Sequence, residues 1–154
     1  MVAPIGEGML RPTDSIRQGG EECPNPFLTA WRALKDELSL DNRVHFNQAN
    51  TRLIALYFDF GRYQPIALFA VSLRISSTEL LSLWRTAKDS HEHTEMVFVK
   101  NDPYEIRKML DGKAEWHGHP VTLASNHARM SLFVSMLYYH QYEHVRNAFA
   151  SGNI

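Results

Sequence analysis

Histidines are the residues of this chain whose type and spacing most suggest chemistry. Seven of the eight lie in the second half of the sequence, at His91, His93, His117, His119, His127, His140 and His144. Neutral imidazole is a frequent metal ligand and a frequent general base. The two His-x-His pairs and residues 140–144 are therefore the first places to look for a site.

Residues 140–144 read His-Gln-Tyr-Glu-His. This segment resembles the His-x-x-Glu-His motif of inverted zinc peptidases. Residues four apart on a helix share a face, so His140 and His144 could hold one zinc ion. Glu143 would then be the general base for a metal-bound water. The competing interpretation is structural, with His144 at the edge of the packed face of a helix and hydrogen-bonded to a neighbour.

The His-x-His pairs could complete such a site, because residues two apart in a strand point to the same face. The pair His117 and His119 is the better placed of the two, and it would join His140 and His144 as a zinc ligand set. The competing interpretation is a group of exposed, independent histidines, since His117-Gly118-His119-Pro120 also has the composition of a turn. A zinc-dependent hydrolase is the alternative function that follows.

Composition and missing motifs favour a different function. The sequence has no Gly-rich nucleotide-binding loop and no Gly-x-Ser-x-Gly motif. Its net charge of −1 disfavours a surface built for phosphate binding. Cys23 is the single cysteine, so no disulfide can form within the chain, which is typical of a reducing compartment. No apolar run is long enough to span a membrane, and no signal peptide is evident.

We therefore expect a small cytoplasmic binding protein without a cofactor, acting on a protein partner as an adaptor, inhibitor or regulatory subunit. A third hypothesis is a single-stranded nucleic-acid binder, because arginines and aromatic residues occur together on the predicted strands. The net charge gives that hypothesis little support.

The pattern of apolar residues predicts an α+β fold with a mostly antiparallel sheet packed by helices, in the order α-β-β-β-α-β-α-β-α. The first helix is expected from Asn25 and Pro26, and further caps occur at Ser76, Asp102 and Ser125. A hairpin is expected where residues 61–65 separate two apolar runs. Residues 95–100 are expected to form another strand, and the last helix is expected to run unbroken to about Phe149.

Residues 1–24 are rich in glycine and proline and lack an apolar period, which predicts a flexible N-terminal tail before a single globular domain at 25–154. The last predicted helix is apolar over an unusually wide arc. Tyrosine and methionine are common at protein interfaces. We therefore expect a homodimer, with an interface that includes Met136, Tyr138, Tyr139 and Tyr142. The equal alternative is a central helix that packs within the core.

Overall fold

The computed structural model of the chain describes residues 8–10, 12–61, 63–92, 95–123 and 125–151. The described residues form α-helices and antiparallel pairs of strands, so the predicted α+β class is confirmed. The elements are β1 (Ser15–Gln18), β2 (Glu21–Pro24), α1 (Pro26–Leu38), β3 (Phe46–Asp59), β4 (Gln64–Leu73), α2 (Ser77–Trp84), a 3₁₀ turn (Ser90–Glu92), α3 (Pro103–Leu110), β5 (Glu115–Trp116), β6 (His119–Pro120), α4 (Asn126–Tyr139) and α5 (Tyr142–Ala150).

The chain divides into two compact units, each built from separate stretches of sequence. Unit 1 contains the described residues of 54–70 and 97–151, and unit 2 contains those of 8–53 and 71–96. The hairpin of β3 and β4 therefore contributes its distal part to unit 1 and its proximal parts to unit 2. That residues 25–154 fold cooperatively as a single domain stays a prediction.

Capping residues explain where the helices begin. Asn25 accepts a hydrogen bond from the backbone of Phe27, with Pro26 in the first helical position of α1. Ser76 and Glu79 form a complete capping box at the start of α2. The carboxylate of Asp102 accepts hydrogen bonds from two backbone N–H groups at the start of α3. All three starts agree with the sequence prediction.

Unit 2 begins with a hairpin that the sequence pattern did not predict. Strands β1 and β2 pair antiparallel around Gly19 and Gly20, which both have the positive φ that this tight turn requires. Just before β1, the carboxylate of Asp14 accepts two hydrogen bonds from the Arg32 guanidinium of α1, and Asp14 is 1% exposed. Flexibility of residues 1–24 stays a prediction, and residues 1–7 and 11 lie outside the described part of the chain.

The sheets and the C-terminal helix differ in detail from the expected arrangement. The described strands form three separate two-stranded sheets, β1–β2, β3–β4 and β5–β6. Residues 95–100 form no strand with any of the described residues, so the strand predicted there was wrong. Val97 and Val99 within that stretch pack against the core of unit 1. The predicted unbroken last helix is two helices, because His140 is in an extended conformation between α4 and α5.

Each unit has its own apolar interior. In unit 1, α3, α4 and α5 surround a cluster formed by Ile106, Met109, Leu132, Met136 and Val145. In unit 2, α1 packs against α2. Its buried apolar side chains include Leu34, Leu38, Leu40, Phe46, Leu80 and Trp84. These interiors hold the hairpins and helix ends that carry the candidate site residues.

Candidate functional site

One face of the distal β3–β4 hairpin exposes large apolar side chains. Leu56 is 69% exposed and Phe60 is 78% exposed, with the exposed Phe58 between them in sequence. The rings of Phe58 and Phe60 meet edge to face, with centroids 5.2 Å apart. Tyr63, in the turn, is 82% exposed. We call Leu56, Phe58, Phe60 and Tyr63 the hairpin surface.

The hairpin surface follows from the two-residue period of a strand. Residues 56, 58 and 60 fall on one side of the hairpin, and residues 57 and 59 point to the other. The apolar residues on both sides of the predicted hairpin indicated that it is covered on both sides, or on one side by another subunit. In the structure the second side carries the polar side chains of Tyr57 and Asp59, which both contact His127 of α4.

Tyr57, His127 and Asp59 form a continuous series of hydrogen bonds within unit 1. The phenol oxygen of Tyr57 lies 3.2 Å from Nδ1 of His127. Nε2 of the same ring lies 2.8 Å from Oδ2 of Asp59. The other carboxylate oxygen of Asp59 accepts the backbone N–H of Gly61 at 2.8 Å. Burial, together with the charge of Asp59, raises the pKa of the Tyr57 phenol.

Sequence reasoning did not bring these three residues together. The spacing of Tyr57 and Asp59 places them on one side of a strand, which is readable from the sequence alone. His127 is seventy residues from Tyr57, and its position in the first turn of α4 gives no sequence signal for this contact. Only the fold places the imidazole between the phenol and the carboxylate.

The interface residues predicted from the sequence separate into two groups. Tyr138, Tyr139 and Tyr142 are exposed at the junction of α4 and α5, and we call them the tyrosine surface. The rings of Tyr138 and Tyr139 meet edge to face, with centroids 4.9 Å apart. Met136 is 0% exposed and belongs to the core of unit 1. It therefore lies beneath the surface instead of on it.

The residues of the zinc motif are close together, but not through the helical geometry expected of them. His140 follows the last residue of α4, and His144 lies in the first turn of α5. Their ring centroids are 5.7 Å apart. Nε2 of His140 also lies 3.0 Å from the side-chain oxygen of Asn101. Glu143 forms an ion pair with Arg146 one turn along α5.

His117 and His119 lie in the β5–β6 hairpin. His117 occupies the turn with a φ of 50°, and its ring contacts the ring of Trp116. His119 pairs with Trp116 across the two strands and is exposed. No group of three or more His, Cys, Asp or Glu side chains suited to a metal occurs within the described residues. His93 lies outside them, and the zinc hypothesis stays a prediction.

No protein-family model, curated protein or solved structure matches the chain. Over the described part of the sequence, every helix is too short or too polar to cross a membrane.

Proposed function

We propose that this chain is a cytoplasmic binding protein that acts through protein–protein contacts and associates with a second copy of itself through the hairpin surface. The exposure of Leu56, Phe58 and Phe60 on one side of the distal hairpin is the observation that carries the proposal. Contiguous exposed apolar side chains of this size are typical of interaction sites.

The apolar side chains are numerous enough to support a weak dimer. Full burial of one large apolar side chain is worth about 2 kcal/mol. Scaled by their exposed fractions, the side chains of Leu56, Phe58, Phe60 and Tyr63 from two copies therefore contribute on the order of 10 kcal/mol, and association costs at least about 4 kcal/mol of that. The remainder corresponds to a dissociation constant of roughly tens of micromolar.

The open edge of the hairpin favours a second copy as the occupant. Strands β3 and β4 form a two-stranded sheet, so within the described residues each has one free edge. Pro65 lies in β4 and has no N–H to donate, which makes the edge of β3 the better one for pairing. Two identical β3 edges can pair antiparallel about a twofold axis. The net charge of −1 produces little repulsion between copies.

Light scattering across the micromolar range, with matched pairs of substitutions, tests this arrangement. We expect the wild-type mass to rise toward two chains with concentration, and the double variant Phe58→Ser/Phe60→Ser to stay monomeric. The double variant Tyr139→Ser/Tyr142→Ser is the control, because it removes two exposed aromatic residues from the tyrosine surface. A strictly monomeric wild type, or a dimer lost only in the tyrosine variant, contradicts the proposal.

The same variants separate self-association from the nucleic-acid hypothesis. Exposed phenylalanines can stack with unpaired bases, so Phe58 and Phe60 would also be needed by a single-strand binder. Fluorescence anisotropy with a labelled single-stranded oligonucleotide distinguishes the two. Two results together would replace the dimer with the nucleic-acid function. The wild-type chain would stay monomeric, and it would bind the oligonucleotide in a salt-dependent manner that Phe58→Ser/Phe60→Ser abolishes.

A further inference from the structure

The bonds around His127 fix the position of its proton. Asp59, as a carboxylate, can only accept a hydrogen bond, so the Nε2 atom 2.8 Å away must carry hydrogen. In the neutral ring, Nδ1 then has a free lone pair. The phenol of Tyr57, 3.2 Å from Nδ1, must therefore be the donor of that bond. With the ring neutral, the phenol of Tyr57 is therefore hydrogen-bonded to a base, Nδ1 of His127.

We propose that Tyr57 is a nucleophile activated by His127 and that the pair accepts an acyl group from an activated ester. His127 acts as the general base, and Asp59 is a positioning residue that holds the imidazole in the required tautomer. The order carboxylate, imidazole, hydroxyl is the arrangement that activates nucleophiles in other settings. This inference is independent of the proposed dimer.

The proposed acyl transfer to Tyr57 needs no reagent other than the acyl donor and water. The Tyr57 oxygen attacks the acyl carbon while Nδ1 of His127 takes the phenol proton, and the imidazolium that forms is paired with Asp59. The bond to the leaving group breaks, and the leaving group takes the proton from His127. The product is an aryl ester on Tyr57. Water attacks that ester with His127 again as base, which releases the acid and restores the phenol.

The chemistry of the phenol restricts the substrate class. Because burial raises the pKa of Tyr57, the phenolate is scarce at neutral pH and the proton must be removed during the attack. A phenol has a pKa of about 10, so it displaces efficiently only leaving groups of similar or lower basicity. Thioesters and aryl esters meet this condition, whereas simple alkyl esters do not. Tyr57 is half-buried and thus reachable by a small acyl donor.

Acetylation of the full chain by p-nitrophenyl acetate, at a concentration where the chain is monomeric, tests the proposal, with the modified residue located by mass spectrometry. Tyr63 is the matched control because it lies in the same hairpin and is far more exposed than Tyr57. We expect Tyr57 to be acetylated faster than Tyr63, and His127→Gln to slow Tyr57 acetylation roughly 100-fold. Asp59→Asn should slow it less, with partial rescue by Asp59→Glu.

Several results overturn the proposal. Acetylation that follows exposure, with Tyr63 ahead of Tyr57, shows that Tyr57 is not activated. Release of nitrophenolate at the wild-type rate by Tyr57→Phe shows that a group other than Tyr57 is the nucleophile. The wild-type pH profile covers the case in which His127→Gln fails to fold. A Tyr57 acetylation rate that rises with pH less steeply than that of Tyr63 supports general-base assistance, whereas a rate that rises about tenfold per pH unit in parallel with Tyr63 indicates attack by free phenolate.

Discussion

Unit 2 buries a charged group, whereas unit 1 leaves large apolar side chains in contact with water. The carboxylate of Asp14 is fully enclosed and accepts hydrogen bonds from Arg32, Thr29 and the backbone of Leu10. Those bonds, above all the ones from Arg32, hold the pKa of Asp14 well below its ordinary range. Buried charge is retained only where its partners are complete, and exposed apolar surface is typical of a contact with another molecule.

The contrast separates folding from association. In unit 2 the hydrogen bonds of Asp14 join the N-terminal hairpin to α1, and their loss would create no interaction surface. In unit 1 the core of α3, α4 and α5 is complete without the hairpin surface. We therefore expect substitutions at Asp14 to affect folding, and substitutions on the hairpin surface to affect association alone.

The largest expected effect is at Asp14. Asp14→Ala removes the acceptor of the Arg32, Thr29 and Leu10 hydrogen bonds, and we expect the free energy of unfolding to fall by about 3 kcal/mol. Asp36→Ala is the control, because Asp36 pairs with the highly exposed Lys88 and such pairs contribute less than about 1 kcal/mol. Denaturant titration with hydrogen exchange over α1 measures both. Equal losses in the two variants would mean that the enclosed carboxylate of Asp14 contributes no more to folding than an exposed ion pair of the same unit.

An intermediate effect is expected in unit 1, where Arg107 of α3 holds the end of α5. Its guanidinium donates to the carbonyls of Ala148 and Phe149, at 2.6 and 3.0 Å, and lies over the Phe149 ring. Arg107→Ala should lower the free energy of unfolding by about 2 kcal/mol. The neighbouring Lys108 is exposed and pairs with Glu105 at the surface, so Lys108→Ala should cost far less. In hydrogen exchange, a loss of amide protection confined to α5 would show that the destabilisation comes from the lost bonds between Arg107 and the end of α5.

The smallest expected effect is at the tip of the hairpin surface. Phe60→Ser removes a mostly exposed ring, so the unfolding free energy of the monomer should change by no more than about 0.5 kcal/mol. The measurement is a thermal or denaturant transition at a concentration where the chain is monomeric. A loss above about 1 kcal/mol would mean that Phe60 packs within the monomer, and the hairpin surface would then be part of the fold.

The sequence predicts the helix starts well because capping is local. Asn25, Ser76, Asp102 and Ser125 each cap the helix that follows, as their positions indicated. The paired strands of the central hairpin were also predicted, although β3 is longer than expected. In each case the residues that decide the structure lie within a few positions of one another.

Features that depend on distant partners were not predictable. The strands β1 and β2 carry few apolar side chains, so their pairing shows only in the Gly19-Gly20 turn. Residues 95–100 have a strand-like composition, but no strand pairs with them in the part of the chain that the structure describes. The break at His140 occurs where neither glycine nor proline marks it. The contact of His127 with Tyr57 and Asp59 depends in the same way on how α4 meets the hairpin.

The interleaving of the two units has a consequence for how the chain is made. The backbone passes from one unit to the other after residues 53, 70 and 96. On a ribosome, every described segment of unit 2 has been synthesised once residue 96 has been added. The distal hairpin emerges earlier, yet the helices of its own unit are synthesised last. During that interval its apolar and its polar sides both face solvent, so this hairpin is where we expect a nascent chain to need a chaperone.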